Sequence, residues 1–219
     1  MSGYAIIEMI VNNHGGVRFQ DMEFTESSIL TGVSRQQILC FTGHRPEKLP
    51  KGKQYEVLLQ TLYYYIDIAI NQGYTVFLDG MADGIDYAAA EYLFRKRQDY
   101  PRLRIVGVQP FENYEAFFRH RGYSLAHLKH MQESFDGIIC LKGKYDASAE
   151  NDLPFRARNY FLVDHSSALI AVCSLTRSGA KQTFDYARKK KLSICRIEAK
   201  PCLLYTPTPE QWPVEKINF

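Results

Sequence analysis

From residue 37 to residue 200 the chain alternates short apolar runs with longer amphipathic stretches. Residues 38–42, 75–79, 103–109, 137–141, 168–174 and 192–197 read as strands. Most are unbroken apolar or β-branched runs, the pattern of strands buried on both faces of a parallel sheet. Between them, apolar residues recur at helical spacing. Leu58, Leu62, Ile66 and Ile70 form one stripe, and Ile85, Ala88, Ala89, Tyr92 and Leu93 form a second. Further helices are predicted over residues 117–131, 155–164 and 179–190. Strands that alternate with helices of this length make βαβ units with right-handed crossovers. The predicted fold is α/β: a doubly wound, Rossmann-like, mostly parallel sheet with helices on both faces.

The ends read differently. Residues 1–36 form an N-terminal extension in which 4–11 is strand-like, Asn12-Asn13-His14-Gly15-Gly16 is a turn signal, and 17–24 pairs back as a hairpin. Residues 37–200 form the Rossmann-like domain. The tail, residues 201–219, carries Pro201, Pro207, Pro209 and Pro213 and is expected to wrap the surface.

Composition narrows the function. The apolar fraction of 46% supports a full core, and a net charge of +3 is too mild to argue for nucleic acid. The basic run from Arg188 to Lys191 ends a predicted helix, where cations complement the helix dipole. Cys40, Cys140, Cys173, Cys195 and Cys202 show no metal-type spacing, and four of them lie in apolar strand-like runs. They read as reduced thiols of a cytoplasmic protein, without disulfides and without a metal. Residues 5–11 are short, include Glu8 and lack a basic leader, so no secretory signal is expected, and no stretch approaches a membrane span.

The chemistry concentrates where strands stop at glycine. The first junction sets Thr42, Gly43, His44 and Arg45 at the end of a core strand. Doubly wound folds bind ligands at that edge, and a guanidinium there can fork onto a phosphate or a carboxylate. The alternative is a simple turn with a solvated arginine. The second junction reads Asp79-Gly80-Met81-Ala82-Asp83-Gly84-Ile85-Asp86. Carboxylates repel phosphate, so Asp79 and Asp86 suit ribose hydroxyls or a base edge, or else are helix caps. A third junction opens a helix at Ser178 and Gly179, with Thr183 one turn on. Those residues either bind an anion through N–H and hydroxyl groups or cap the helix. Arg158 and Asn159 interrupt the apolar face of the helix before it and either reach the site or sit at a solvated edge. No junction gives GxGxxG or a Walker A loop, which argues against the usual dinucleotide and triphosphate roles.

Together these segments resemble the YpsA-like group of the SLOG superfamily (the DUF1273 family). The matching pieces are FTGHRPEKLP (41–50), GYTVFLDGMADGIDYAAAEYL (73–93), IVGVQPFEN (105–113), RARNYFLVDHSSALIAV (156–172) and SGAKQTFDYARKK (178–190). They follow the family's order over about residues 38–199. The resemblance implies a Rossmannoid fold with a pocket for a nucleotide or nucleotide-derived ligand. More distant relatives by fold are the DNA-processing protein DprA and the LOG phosphoribohydrolases, which cleave the N-glycosidic bond of nucleoside monophosphates. The LOG signature is PGGxGTxxE with a nearby arginine. Arg158 matches that arginine, whereas the loop here reads SGAKQTFD, with Asp185 nearest the glutamate position. Within the group itself, glycine is usual where Ser178 stands, threonine where Ala180 stands, and serine where Asp79 stands.

Three functions follow in order. The first is a binding or sensing protein for a nucleotide or ADP-ribose-like ligand, needing no cofactor. The second is an N-glycoside hydrolase of nucleoside monophosphates, with Arg158 and Asp185 as catalytic candidates and Asp86 and Glu91 as further carboxylates. The third is DprA-like single-stranded DNA binding, ranked last because basic residues are few. Self-association stays open.

Overall fold

The apolar runs become strands, and the glycines at their ends become turns, as steric freedom and burial dictate. The structure is a computed structural model that describes residues 4–7, 29–143, 153–201 and 207–219. In chain order the elements are β1 (Tyr4–Ile7), β2 (Ile38–Gly43), α1 (Lys53–Asn71), β3 (Val76–Asp79), α2 (Ile85–Lys96), β4 (Arg104–Phe111) and α3 (Tyr114–Arg121). They continue with α4 (Leu125–Ser134), β5 (Gly137–Gly143), α5 (Leu153–Asp164), β6 (Ala168–Val172), α6 (Gly179–Lys189), β7 (Ser193–Ile197) and β8 (Val214–Ile217).

One sheet runs β1-β5-β4-β3-β2-β6-β7-β8, parallel except for β8, which is antiparallel to β7. Alternation along each strand splits the core in two. Leu39, Phe41, Phe77, Ile105 and Ile170 face the first core, with α1 to α4. Cys40, Leu78, Val106, Leu169 and Ile194 face the second, with α5 and α6. The chain thus winds outward from β2 to β5 under one layer of helices. It then returns beneath the sheet through α5 to set β6 beside β2, with Gly43 opposite Val172. The winding reverses between β2 and β6, which is where doubly wound sheets hold ligands.

Two elements differ from the sequence reading. The helix predicted over 117–131 is two helices. Gly122 closes α3 in the left-handed conformation (φ 67°), and the Ser124 hydroxyl accepts from His127 N–H at 3.2 Å to start α4. The tail does more than wrap the surface: β8 pairs along β7, and buried Trp212 donates its indole N–H to Glu198 O at 2.8 Å. At the other end, β1 joins β5 in parallel. The returning half of the expected hairpin, 17–24, lies outside the described residues, as does Cys202. The other four cysteines are buried free thiols, and burial pushes Cys40, Cys173 and Cys195 up to about 12. Among the described residues, no helix is long and apolar enough to cross a membrane.

Candidate functional site

Parallel strands bring their carboxyl ends to one edge, so the three junctions meet there. They border a cleft of about 320 Å³ lined by backbone and side chains of β2, α2, α5 and α6, with Phe117 on α3 and Tyr123 just beyond it.

The first two glycine junctions are used on each other. Gly84 has φ 98° and ψ −121°, and a Cβ there would lie 2.6 Å from His44 O. A Cβ on Gly43 would enter the Ile85 side chain. The two loops therefore interlock, with Ile85 N–H reaching His44 O at 3.4 Å. Their lack of a side chain permits this close approach.

Beneath this interlock lies a buried polar cluster. Arg158 and Asp86 are each 5% exposed, and both crowd the place a Cβ on Gly80 would occupy. The Arg158 guanidinium donates to Gly80 O and, through Nε, to Asn159 Oδ1 at 2.8 Å. Burial raises the Asp86 pKa, opposed by the charges of Arg158 and Arg45. Asp79 is fully buried. Its Oδ1 accepts from Met81 N–H at 2.6 Å and holds Met81 in the left-handed region (φ 54°), while Oδ2 finds no partner among the described residues. Burial, and then the charge of Asp86, lift the Asp79 pKa well above its usual value of 3.8. The folded pKa exceeds the unfolded one, so the native state holds a proton the unfolded state releases. Stability then falls as pH rises from about 3.8 through the folded value. Asp79→Asn keeps the acceptor for Met81 and removes the titration. Its urea midpoint should change less with pH than that of the wild type; parallel pH profiles would contradict this.

His44 and Arg45 diverge from consecutive positions. Buried His44 accepts from Ser174 N–H through Nε2 at 3.2 Å, which requires the neutral imidazole with its proton on Nδ1. Burial, and then the charge of Lys48, lower its pKa. The Arg45 guanidinium lies 5.1 Å from the centre of the Tyr123 ring and 6.0 Å from that of Phe117. Its Nη1 is buried and has no hydrogen-bond partner among the described residues. The Tyr114 hydroxyl is its neighbour and, against burial, helps to raise the Arg45 pKa, although neither atom meets hydrogen-bond geometry.

On the opposite side, α6 points its N-terminus at the cleft. The Ser178 hydroxyl caps it by accepting from Lys181 N–H at 3.1 Å, and nothing lies within 4 Å of the Cβ position of Gly179. Unsatisfied N–H groups and the helix dipole make this end attractive to an anion.

Of the residues the sequence singled out, Thr42, Gly43, His44, Arg45, Asp86, Arg158, Asn159, Ser178 and Gly179 line the cleft. Asp79, Gly80, Met81 and Gly84 do not line it but lie behind its wall. Thr183 turns inward and donates to Gly179 O at 2.9 Å. Asp185 is outside, on the exposed face of α6, paired with Lys181. Glu91 meets His130 on α4 at 2.7 Å, and Asp83 links to His127 at 2.9 Å; neither lines the cleft. Sequence reasoning missed Glu47, Lys48, Phe117, Arg121, Tyr123 and Phe155, which also line it. Phe117 and Arg121 are four residues apart on α3, so they share a face. That spacing was visible in the sequence, although its direction toward the cleft was not. Phe155 packs on Phe117 at 4.7 Å and completes an aromatic wall.

Comparison with known proteins converges on one group. The model of the YspA SLOG family, named YpsA, matches residues 39–199. The UPF0398 protein YpsA of Bacillus subtilis is 25% identical over 169 residues, covering 71% of this chain and 86% of that protein. The SPbeta prophage-derived protein YoqJ of Bacillus subtilis is 28% identical over 123 residues, covering 53% of this chain and 71% of that protein. Among solved structures, DNA processing protein A of Streptococcus pneumoniae superposes with a TM-score of 0.51 at 15% identity, over 77% of this chain. This chain spans 52% of that protein's length, and the likeness is one of fold.

Proposed function

The chain belongs to the YspA SLOG family, and on that premise we propose that it binds a nucleotide or ADP-ribose-like ligand in the cleft, as a cytoplasmic sensing protein. The observation that carries this reading is the open N-terminus of α6 at Gly179, facing a cleft lined with arginine and aromatic side chains. The helix end suits a phosphate, Asp86 suits a sugar hydroxyl, and the wall of Phe117, Tyr123 and Phe155 suits a base.

A hydrolase needs a carboxylate free to act on the ribose or on water. Asp185 is turned away and ion-paired, and Asp86 is buried within the field of the Arg158 and Arg45 charges. Both features favour binding over catalysis. The DprA fold invites a single-stranded DNA reading, but the net charge is only +3 and some of the surface basic charge is already matched. Lys96 pairs with Asp67 at 2.9 Å, Arg97 with Asp136 at 3.0 Å, and Lys190 with Asp164 at 2.7 Å. A small anionic ligand fits better than a long strand.

Isothermal titration of the protein with adenosine and guanosine monophosphates and with ADP-ribose tests the proposal. At least one should bind with an affinity that weakens as salt is raised. No heat from any of them would reject it.

A further inference from the structure

The cleft has two cationic poles on opposite faces of the sheet. One is the N-terminus of α6, whose Ala180 belongs to the core under α5 and α6. Neutral His44 supports this pole by holding Ser174 N–H at the root of the loop that enters the helix. Lys48 adds a charge close to His44. The other pole is Arg45 with Arg121, set against Phe117 and Tyr123, which pack on the core under α1 to α4. Extended backbone at Arg45 (φ −72°, ψ 161°) sends consecutive side chains to opposite sides, so His44 serves one pole and Arg45 the other. Arg158 belongs to neither pole, because its guanidinium is already engaged by Gly80 and Asn159.

Among the described residues neither pole has an anion in hydrogen-bond contact. The α6 pole has open space at Gly179, and at the second pole a buried guanidinium nitrogen of Arg45 has only the uncharged Tyr114 hydroxyl beside it. Buried donors are rarely left unpaired, and a charged one costs more than a neutral one. Asp86, which lines the cleft and feels the charges of both Arg45 and Arg158, is an acceptor suited to a sugar hydroxyl. A volume of about 320 Å³ suits one nucleoside unit better than a strand.

We infer that the ligand is a nucleoside carrying phosphoryl groups at two separate positions, one bound at the N-terminus of α6 and the other by Arg45 and Arg121. This rests on the nucleotide reading above and narrows it. The same chemistry, one sugar flanked by two phosphates, also occurs inside a nucleic acid strand, so the test includes one.

Affinities of the full-length protein are measured for adenosine and guanosine 5′-monophosphates, the matching 3′,5′-bisphosphates, and a thymidine trinucleotide. In the wild type a bisphosphate should bind about tenfold or more tighter than its monophosphate. In Arg45→Gln that ratio should fall toward one. Arg45 packs on two rings, so Arg121→Gln, at an exposed position, provides a second variant in which the ratio should also shrink. Equal wild-type affinities for mono- and bisphosphate overturn this inference and leave the nucleotide reading standing. A ratio that persists in both variants also overturns it, as does tighter binding of the trinucleotide than of any bisphosphate. Absence of binding by every compound overturns this inference, and if ADP-ribose also fails to bind the nucleotide reading falls with it.

Discussion

Arg158→Leu should lower folding stability by about 3 kcal/mol, the scale of stranding a buried charge and a buried carbonyl together. The substitution fills similar volume, so the loss is electrostatic rather than a cavity. Without Arg158, Gly80 O loses its donor and Asp86 loses a charge that opposes the burial penalty on its carboxylate. Asp86 would then be pushed further above its usual 3.8. The sign of the pH dependence follows. A raised folded pKa means that protonation favours the native state, so the deficit should be small near pH 4 and grow as pH rises. Urea denaturation of both proteins across that range measures it. A deficit independent of pH would show that Arg158 acts by packing alone, and an unchanged midpoint would remove it from the core of the account.

Gly84→Ala should be comparably damaging, at about 2–4 kcal/mol, because it combines a conformation that only glycine adopts readily with a backbone collision. The added methyl would meet His44 O at 2.6 Å, with Arg45 Cα and Pro46 Cδ each at 3.1 Å. None of these is the tip of a flexible side chain, so the loop itself must move. That loop carries His44 and Arg45, so ligand affinity should fall together with stability. Gly179→Ala is the informative contrast. Its site is open and begins a helix, where alanine is tolerated, so the melting midpoint should hold. A Gly84→Ala protein that melts like the wild type would mean that the two junctions are not interlocked.

The strands and most helices were legible because each is specified locally, by period and by length. The core strand 38–42 and the stripe of Leu58, Leu62, Ile66 and Ile70 needed no tertiary information. The break between α3 and α4 was written in Gly122 and Ser124, yet the apolar pattern running across it hid the cap. The short strand β8 was hidden by the prolines before it. At the site, the sequence identified which residues reach the sheet edge but not which way they turn. Asp79 and Thr183 point inward, to Met81 N–H and Gly179 O. Asp185 could have been placed outside from helical spacing, since Ala180, Thr183, Phe184 and Ala187 form the buried stripe of α6. The aromatic wall could not have been foreseen. Phe117 and Tyr123 meet at the end of α3, but Phe155 joins them only because α5 packs back against β4.

The glycines at the first two junctions illustrate the same limit. Their sequence suggests a phosphate cradle, whereas in the structure they pack against each other, and we propose that role for α6 instead. The most direct test of this assignment is an amide NMR titration of ¹⁵N-labelled protein with adenosine and guanosine 5′-monophosphates. The largest shifts should fall on Gly179 and Ala180 at the start of α6, with Gly43 and Gly84 moving little. Saturable binding that shifts Gly43 and Gly84 and leaves Gly179 and Ala180 unmoved would contradict it.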